Sequence, residues 1–327
     1  MLQYVIRRVL LMIATLFVIS LITFVIIQLP PGDYLTLLAI NYEKIGMPTE
    51  QALFDALRVR YGLDKSMFEQ YILWISNYVR GDMGYSFMWQ QDVASLIWER
   101  LFLSLALSTS ALILTWLISL PIGIYSALRQ HSIGDYVFTF LGFVGVSVPE
   151  FLLALVLMFT AFDKFGMDVG GLFSAQYAEA AWSFGKFIDL LKHIWIPAII
   201  LALAGTAANI RILRANFLDE LKKPYVITAR AKGIPHSRLL LKYPIRIALN
   251  PFISSIAYVF PRLISGATII SVVLNLPTTG PLLLSALQSQ DMYLAGSFIM
   301  LFSVLTVIAT FLSDLLLAAV DPRIRYF

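Results

Sequence analysis

Residues Leu101–Leu128, LFLSLALSTSALILTWLISLPIGIYSAL, form an apolar run without a charged side chain. A helix needs about 20 such residues to cross the hydrocarbon core of a bilayer, so this run predicts a membrane-spanning helix. A further run, Tyr136–Phe162, is interrupted only by Glu150. The other uncharged runs are Val9–Gly32, Ile194–Ile210, Leu263–Gln290 and Met292–Ser313. We therefore predict an all-α membrane protein with six transmembrane helices.

The composition agrees with a membrane protein and excludes several kinds of site. Of the 327 residues, 59% are hydrophobic and 13% are charged, whereas a soluble domain averages about 25% charged residues. The absence of cysteine excludes disulfides and zinc–thiolate sites, and His131, His193 and His236 lie too far apart for a local metal motif. The net charge of +4 lies on segments that flank apolar runs, so no nucleic acid is expected as a partner.

Charge asymmetry predicts which segments face the cytoplasm. Arg7 and Arg8 precede the first apolar run, which is too long for a signal peptide and is expected to stay uncleaved. Because positive segments stay inside, residues 129–135 and 211–250 and both termini are predicted to be cytoplasmic. The predicted outer segments are residues 33–100, residues 163–193 and the stretch around Asp291.

The segment 33–100 is predicted to be a partly helical external segment between the first two spans. It contains nine acidic and six basic residues. Apolar residues recur at helical spacing in 49–61 and 67–80, and Gly81 and Gly84 indicate turns. The predicted division of the chain is an N-terminal span (1–32), an extracytoplasmic cap segment (33–100) and a five-span core (101–327).

Two charged residues lie inside predicted spans. Glu150 follows Pro149 in the third span, and Arg262 follows Pro261 in the fifth. A charge in hydrocarbon is costly, so each should face the bundle interior or a water-filled path, and their similar depth suggests that they pair. The alternative for Glu150 is a structural carboxylate near a proline kink. Asn209 ends a run of small residues that favours helix packing, and a substrate contact is the alternative.

No catalytic or nucleotide-binding motif is visible in the sequence. Gly185-Lys186 is followed by Phe187 and lacks the upstream glycine of a phosphate-binding loop. Neither a Ser/His/Asp arrangement nor a His-Glu-x-x-His motif is present. The sequence therefore shows no residues arranged to hydrolyse ATP or to break a substrate bond. A secondary transporter or channel is the alternative, although that class is expected to carry charges along several spans or an inverted repeat.

The most basic part of the chain is Arg211–Arg246, here called the basic segment, which carries nine cations against two acids. Within it, Tyr225–Gly233 has the pattern of a short helix that ends at a glycine, followed by Pro235. Such an ordered helix favours a docking surface for a cytoplasmic partner. The alternative is a segment that only sets topology or touches anionic lipid, which needs no ordered turn.

A series of short motifs spans nearly the whole chain. They are Pro31–Asp33, Tyr61–Asp64, Gly81–Ser86, Ser147–Phe151 and Asp321–Arg325. Their order and spacing resemble the B-type permease subunits of ABC importers of the dipeptide, oligopeptide and nickel class. Tyr225–Gly233 resembles the loop through which such permeases grip their ATPase, with Ile227 where the general pattern has glutamate.

The resemblance implies one subunit of a larger machine in the plasma (inner) membrane of a bacterium or archaeon. A homologous second permease would form the other half of the translocation path, and an extracytoplasmic binding protein would deliver substrate. Two cytoplasmic ATPases would bind ATP and magnesium, so the chain itself would be no enzyme and hold no cofactor. Transport would proceed by alternating access, with membrane lipid around the spans.

The same interpretation assigns roles to residues. The expected ATPase-coupling residues are Ala229, Arg230, Lys232, Gly233, Ile234 and Pro235. The expected path-lining residues are Glu150, Arg262, Ser147, Asn209 and Ser271. In the external cap, Asp82 and Ser86 are expected to contact the binding protein or to gate the outer mouth.

The expected substrates are oligopeptides, with oligosaccharides as the alternative. Ser271 follows the stretch Gly266–Ile270, where a carboxylate is usual in the family. Leu274–Gly280 also departs from the family's common run at the outer end of the fifth span. A neutral, hydroxyl-bearing path suits a sugar, and members of the class carry oligosaccharides as well as peptides.

Overall fold

The computed structural model is helical over most of its described residues, which are 2–28, 59, 64–86, 88–166, 170–258 and 267–320. In chain order the helices are α1 Leu2–Gln28, α2 Met67–Val79, α3 Val93–Leu128, α4 Ile133–Ser147, α5 Glu150–Phe165, α6 Ala175–Ala178, α7 Phe184–Leu221, α8 Pro224–Ala231, α9 His236–Lys242, α10 Pro244–Ala248, α11 Asn250–Ser255, α12 Ala267–Val273, α13 Thr279–Gln288 and α14 Met292–Val320, with a 3₁₀ turn at Ile256–Tyr258. Strands β1 Tyr85–Ser86 and β2 Gln91–Asp92 form an antiparallel pair.

Three predicted spans are continuous helices. In the described part of the chain, α1, α3 and α14 are each long and apolar enough to cross a membrane. Helix α3 begins before the predicted run because its first turns already bury one apolar face, where Val93 and Ile97 are fully buried. The packing of that face extends the helix beyond the uncharged stretch.

The predicted third span is two helices rather than one kinked helix. Helices α4 and α5 meet at Val148-Pro149 and are bent by 97° relative to each other. Proline lacks the N–H that would continue the helical hydrogen bonds, and it disfavours helical backbone in the residue before it. Val148 is accordingly extended, with φ −89° and ψ 123°. Glu150 therefore lies in the first turn of α5 instead of mid-helix.

The predicted fourth span lies within α7, which is bent by 50° between Phe184–Leu203 and Gly205–Leu221 and contains Pro197. If each bent pair counts as one span, the described residues contain up to five candidate spans by length and composition. The number six stays a prediction.

The predicted fifth run, Leu263–Gln290, is divided in its described part. Helix α12 ends at Val273, and α13 starts at Thr279. Between them Asn275 adopts φ +50°, a left-handed conformation that Asn tolerates better than most residues, and Pro277 cannot continue a helix. The described part of this run is therefore not one continuous helix.

The chain forms two compact units. The first comprises Leu103–Pro277 and Ile308–Phe327, together with Met1, and the second comprises Leu2–Phe102 and Thr278–Val307. The three-part division into span, cap and core stays a prediction.

The first unit contains two clusters of buried apolar side chains. One joins α3, α5, α7 and α12, and its largest fully buried members include Leu107, Leu172 and Ile200. The other joins the ends of α3 and α7 to the short helices α8–α11, with Leu213, Phe217 and Phe252 at its centre. Each fully buried side chain of this size contributes roughly 1.5–3 kcal/mol, so the second cluster makes the basic segment a packed structure.

In the second unit α2 packs against α1. The hydroxyls of Ser20 and Tyr71 are 2.8 Å apart and buried, and the rings of Phe24 and Tyr71 meet edge to face. Helix α2 begins with a capping box in which Ser66 and Glu69 each accept the other's backbone N–H. Hydrogen bonds from the Ser66 hydroxyl and backbone hold the pKa of Glu69 below its usual value.

The prediction of an all-α fold missed the β1–β2 pair. Tyr85 lies opposite Asp92 and Ser86 opposite Gln91. Gly84 precedes β1 with φ +85°, and its carbonyl accepts the N–H of Val93 at 3.0 Å, which closes the hairpin onto the start of α3. Two-residue strands are too short for apolar alternation to indicate them.

Candidate coupling segment and translocation path

Helix α8 is held at both ends by local sequence. Pro224 occupies its first turn, where the missing N–H costs nothing and the fixed φ favours the helix. At its other end, the N–H of Ile234 bonds the carbonyl of Ala229 at 3.4 Å, and the N–H of Gly233 bonds that of Arg230 at 3.0 Å. These two bonds form a Schellman motif, which stops the helix at a defined residue.

Gly233 supplies the conformation that this motif needs. Its φ is +75°, in the left-handed region, and a Cβ built on it would meet no atom within 4 Å. Glycine is therefore required here by the backbone conformation and not by crowding. Pro235 then starts α9 as its N-cap residue.

The expected coupling residues divide into anchors and exposed groups. Ala229 is buried and Ile234 is half-buried in the cluster with Phe217. Arg230, Lys232, Gly233 and Pro235 are exposed, as are the apolar side chains of Ile227 (56% exposed) and Leu241 (67%). The segment thus presents apolar side chains beside cations on a rigid base, which suits a protein partner with an apolar, acidic groove.

Glu220, one of the two acids of the basic segment, accepts a hydrogen bond from within the segment. The hydroxyl of Tyr225, on α8, donates to Oε2 of Glu220, near the end of α7. The ring of Tyr225 also packs against Tyr243 at 6.2 Å between centroids. These contacts hold α8 to the helix before it, α7, and to Tyr243, which follows α9.

Arg214 does not belong to the exposed basic surface that the sequence suggested. Its guanidinium makes a bidentate ion pair with Asp135, with Nε–Oδ1 3.1 Å and NH2–Oδ2 2.9 Å. The side chain of Asp135 is only 4% exposed. The sequence analysis did not predict this pair. The one hint was Asp135 itself, an acidic residue at the end of the predicted inner segment 129–135, which is otherwise positive.

Two segments predicted to be cytoplasmic are in contact in the first unit, and one of them also contacts the end of α14. The Asp135–Arg214 pair joins 129–135 to the basic segment, and Nε of Arg246 donates to the carbonyl of Val320, the last residue of α14, at 2.9 Å. One predicted outer segment also contacts the predicted fifth apolar run, since the N–H of Gly171 bonds the carbonyl of Leu274 at 2.8 Å. Which side of the membrane each segment faces stays a prediction.

The first turns of α7 are fixed by two buried charged residues. Asp189 accepts bonds from the N–H and hydroxyl of Ser174 at 2.7 and 2.6 Å. Lys186 donates to the carbonyl of Ala180 at 2.6 Å, and its ammonium lies 5.4 Å from the ring centroid of Trp182. The chain around α6 is thereby held against the start of α7.

The expected path residues lie on helices that pack together. Helix α5, which starts with Glu150, packs against α7, which carries Asn209, and against α12, which carries Ser271. Glu150 and Asn209 are partly exposed. The Ser271 hydroxyl is buried, and no described group bonds it. Ser147 is exposed, and its hydroxyl bonds the carbonyl of Phe143.

One path residue lies outside the described residues. Arg262 falls in the range 259–266, so its pairing with Glu150 stays a prediction.

In the second unit Ser86 is a buried link. Its hydroxyl donates to Oδ2 of Asp291 at 2.6 Å, and the other carboxylate oxygen of Asp291 accepts the N–H of Leu294 in the first turn of α14. Both Ser86 and Asp291 are fully buried. Asp82 is exposed, accepts the N–H of Gly84 at 2.9 Å and lines a cavity of about 720 Å³. Roles of Asp82 and Ser86 toward a binding protein stay predictions.

Comparison with known proteins gives the chain its family. Residues 119–326 match the family described as binding-protein-dependent transport system inner membrane component, and residues 1–108 match the N-terminal family of the same membrane components. An oligopeptide transport system permease protein of Bacillus subtilis, AppB, is 34% identical over the full length of both chains. A putative peptide permease protein of Brucella ovis is 32% identical over 99% of each chain, and the glutathione transport system permease protein GsiC of Escherichia coli K12 is 30% identical over the full length of both. The chain therefore belongs to the inner membrane components of binding-protein-dependent transport systems, the permease subunits of ABC importers, as its sequence motifs predicted.

Proposed function

We propose that this chain forms half of the translocation path of an ATP-driven importer of oligopeptides. A homologous second permease completes the path, two cytoplasmic ATPases bind ATP and magnesium, and an extracytoplasmic binding protein delivers the peptide. The observation that carries the proposal is the rigid helix α8, capped at Gly233 and packed on the ends of α3 and α7. The names of the full-length relatives, which concern oligopeptides, peptides and glutathione, favour peptides as substrates.

In this mechanism the ATPases bind helix α8 and displace it. Arg230 and Lys232 contact the ATPase, while Ala229 and Ile234 pack in the buried cluster and hold α8 to it. Because protein interiors are close-packed, a displacement of α8 moves the ends of α3 and α7 with it. Alternating access follows when nucleotide-bound and empty ATPases favour different positions of α8.

The path runs along α5, α7 and α12 of this chain. Glu150, in the first turn of α5, places a carboxylate where a peptide's terminal ammonium is attracted. Asn209 on α7 and Ser271 on α12 offer hydrogen-bonding groups from neighbouring helices. Oligosaccharides are the second candidate substrate, because the buried Ser271 hydroxyl takes the place of a carboxylate common in the family.

Co-purification and uptake test this proposal. The tagged chain, extracted from its native membrane, is expected to bring a second permease and an ATPase with it. In proteoliposomes with the cognate binding protein, ATP should drive uptake of labelled tripeptides and not of labelled trisaccharides. Trisaccharide uptake alone would reverse the substrate assignment. A chain that purifies alone and transports without ATP would be a secondary transporter or channel.

Cysteine labelling tests the proposed orientation. The chain has no cysteine, so a single introduced thiol is labelled uniquely. Phe184 (81% exposed), at the start of α7, and Ser237, exposed on α9, lie in segments predicted on opposite sides. In intact cells a membrane-impermeant maleimide should label Phe184→Cys and spare Ser237→Cys. The reverse result would invert the topology.

A further inference from the structure

The Asp135–Arg214 ion pair joins two parts of the chain that are 79 residues apart. Its two parallel N–H···O bonds, at 3.1 and 2.9 Å, fix the direction of approach as well as the distance. The Asp135 side chain is only 4% exposed and the Arg214 side chain 27%, so the pair is partly buried and is screened by salt less than a fully exposed pair. Removal of either partner leaves a largely buried charge without its counter-charge.

The turn that carries Asp135 is rigid. Asp135 is the third residue of α4, and its backbone N–H bonds the hydroxyl of the N-cap Ser132 at 3.2 Å. Its Oδ2 also accepts the N–H of His131 at 3.0 Å. A Cβ on Gly134 would lie 2.5 Å from the hydroxyl of Tyr125, so the turn packs closely against the end of α3. The carboxylate therefore cannot shift without α4.

Arg214 belongs to the same packed body as the coupling helix. It lies seven residues before the end of α7 at Leu221, which is about 10 Å along the helix axis. On this last part of α7, Leu213 and Phe217 are fully buried against Val226 of α8. Arg214 therefore follows any displacement of α8.

Glycine and alanine lie at part of the apolar contact between α4 and α7. A Cβ on Gly142 would lie 3.4 Å from the Cβ of Ala207, and one on Gly145 would lie 4.0 Å from the carbonyl oxygen of Leu203. Small side chains allow helices to approach closely. Among the described residues, contacts with a preferred direction across this interface include the guanidinium of Arg211, 4.8 Å from the ring centroid of Phe143, and the Asp135–Arg214 pair; of these two, only the pair has two hydrogen bonds between opposite charges.

We propose that the Asp135–Arg214 ion pair transmits the displacement of α8 to α4, and hence to the broken third span. Both residues are positioning residues for coupling; they contact neither nucleotide nor substrate. This inference rests on the proposed function, because it takes α8 to be the point at which the ATPases act.

Distances between spin labels in the assembled transporter test the link. Labels on Ile133→Cys, 84% exposed at the start of α4, and on Ser237→Cys of α9 report whether the two elements move together. The wild-type pair should give the same distance without nucleotide and with ATP and vanadate. With Asp135→Asn the distance should differ between the two states, since α9 then moves without α4.

Asp189→Asn is the matched control. Asp189 is also a buried carboxylate that accepts two hydrogen bonds. It lies near the start of α7, the helix whose other end carries Arg214, and so is far from the basic segment. It should leave the label distances unchanged, and so should not mimic Asp135→Asn even if both variants lose thermal stability. Arg214→Lys keeps the charge but loses the bidentate geometry and serves if Asp135→Asn does not assemble.

The number of tri-alanine molecules taken up per ATP hydrolysed gives a second readout. It should fall in Asp135→Asn and stay unchanged in Asp189→Asn. Label distances that are equal in both states for Asp135→Asn and Arg214→Lys, or unequal in the wild type, would overturn the inference. Failure of the wild-type complex to import any peptide with ATP would instead refute the proposed function, because the label distances do not depend on the substrate.

Discussion

Replacing Gly233 with alanine separates backbone strain at the end of α8 from every other effect. The residue has φ +75°, and its added Cβ would meet no atom within 4 Å, so no clash contributes. A left-handed conformation costs a non-glycine residue about 1–2 kcal/mol. The lower entropy of the unfolded chain returns about 0.4–1 kcal/mol. The net loss is about 1 kcal/mol, which raises the population of a frayed α8 end roughly fivefold.

Gly166 provides the matched control for this change. It caps α5 with φ +61°, and a Cβ there also meets no atom within 4 Å. Gly233→Ala and Gly166→Ala should therefore lower the unfolding temperature of the purified protein by similar amounts. Only Gly233→Ala should lower the uptake of peptide per ATP hydrolysed.

Gly233→Pro should uncouple hydrolysis from uptake more strongly. Proline fixes φ near −65° and lacks the N–H that bonds the carbonyl of Arg230 at 3.0 Å. The protein should still insert in the membrane, because the spans are untouched. Equal loss of coupling in Gly166→Ala and Gly233→Ala, or normal transport by Gly233→Pro, would refute the reasoning.

Two further predictions concern the second unit. Gly84→Ala should destabilise the protein more than Gly81→Ala: both glycines have φ near +90°, but a Cβ on Gly84 would lie 2.6 Å from the ring of Tyr293, and one on Gly81 meets nothing. Thermal unfolding in detergent measures the difference, and equal losses would show that the ring moves aside without cost. Ser86→Ala removes a hydrogen bond to the buried Asp291 and should cost about 1–3 kcal/mol. An unchanged unfolding temperature would mean that Asp291 is satisfied without it.

Local features of the site were predictable from the sequence. The stop of α8 at Gly233 follows from residue types that act within a few positions: glycine adopts the left-handed conformation, and the following proline cannot continue a helix. The position of the bend at Pro149 was predictable from the sequence, but the angle between α4 and α5 was not. A proline determines which hydrogen bond is lost, whereas the 97° angle depends on what α4 and α5 pack against.

The role of single polar residues was less predictable. Ser86, assigned to an outer contact surface, is fully buried against Asp291, from which it is separated by 205 positions. Arg214, counted among the nine cations of the basic segment, pairs with Asp135 across 79 positions. A charge count cannot distinguish a solvated cation from a paired one, because the partner is found only when distant helices come together.

The sequence by itself determined that this protein lies in a membrane, which family it belongs to, and where helix α8 stops. Those properties depend on the length of apolar runs and on residues within one helical turn, so they are local. Only the tertiary structure decided that α8 is seated on Phe217, that Asp135 holds Arg214, and that Ser271 is buried. These arrangements depend on the order and angle at which helices pack, which no local pattern in the chain specifies.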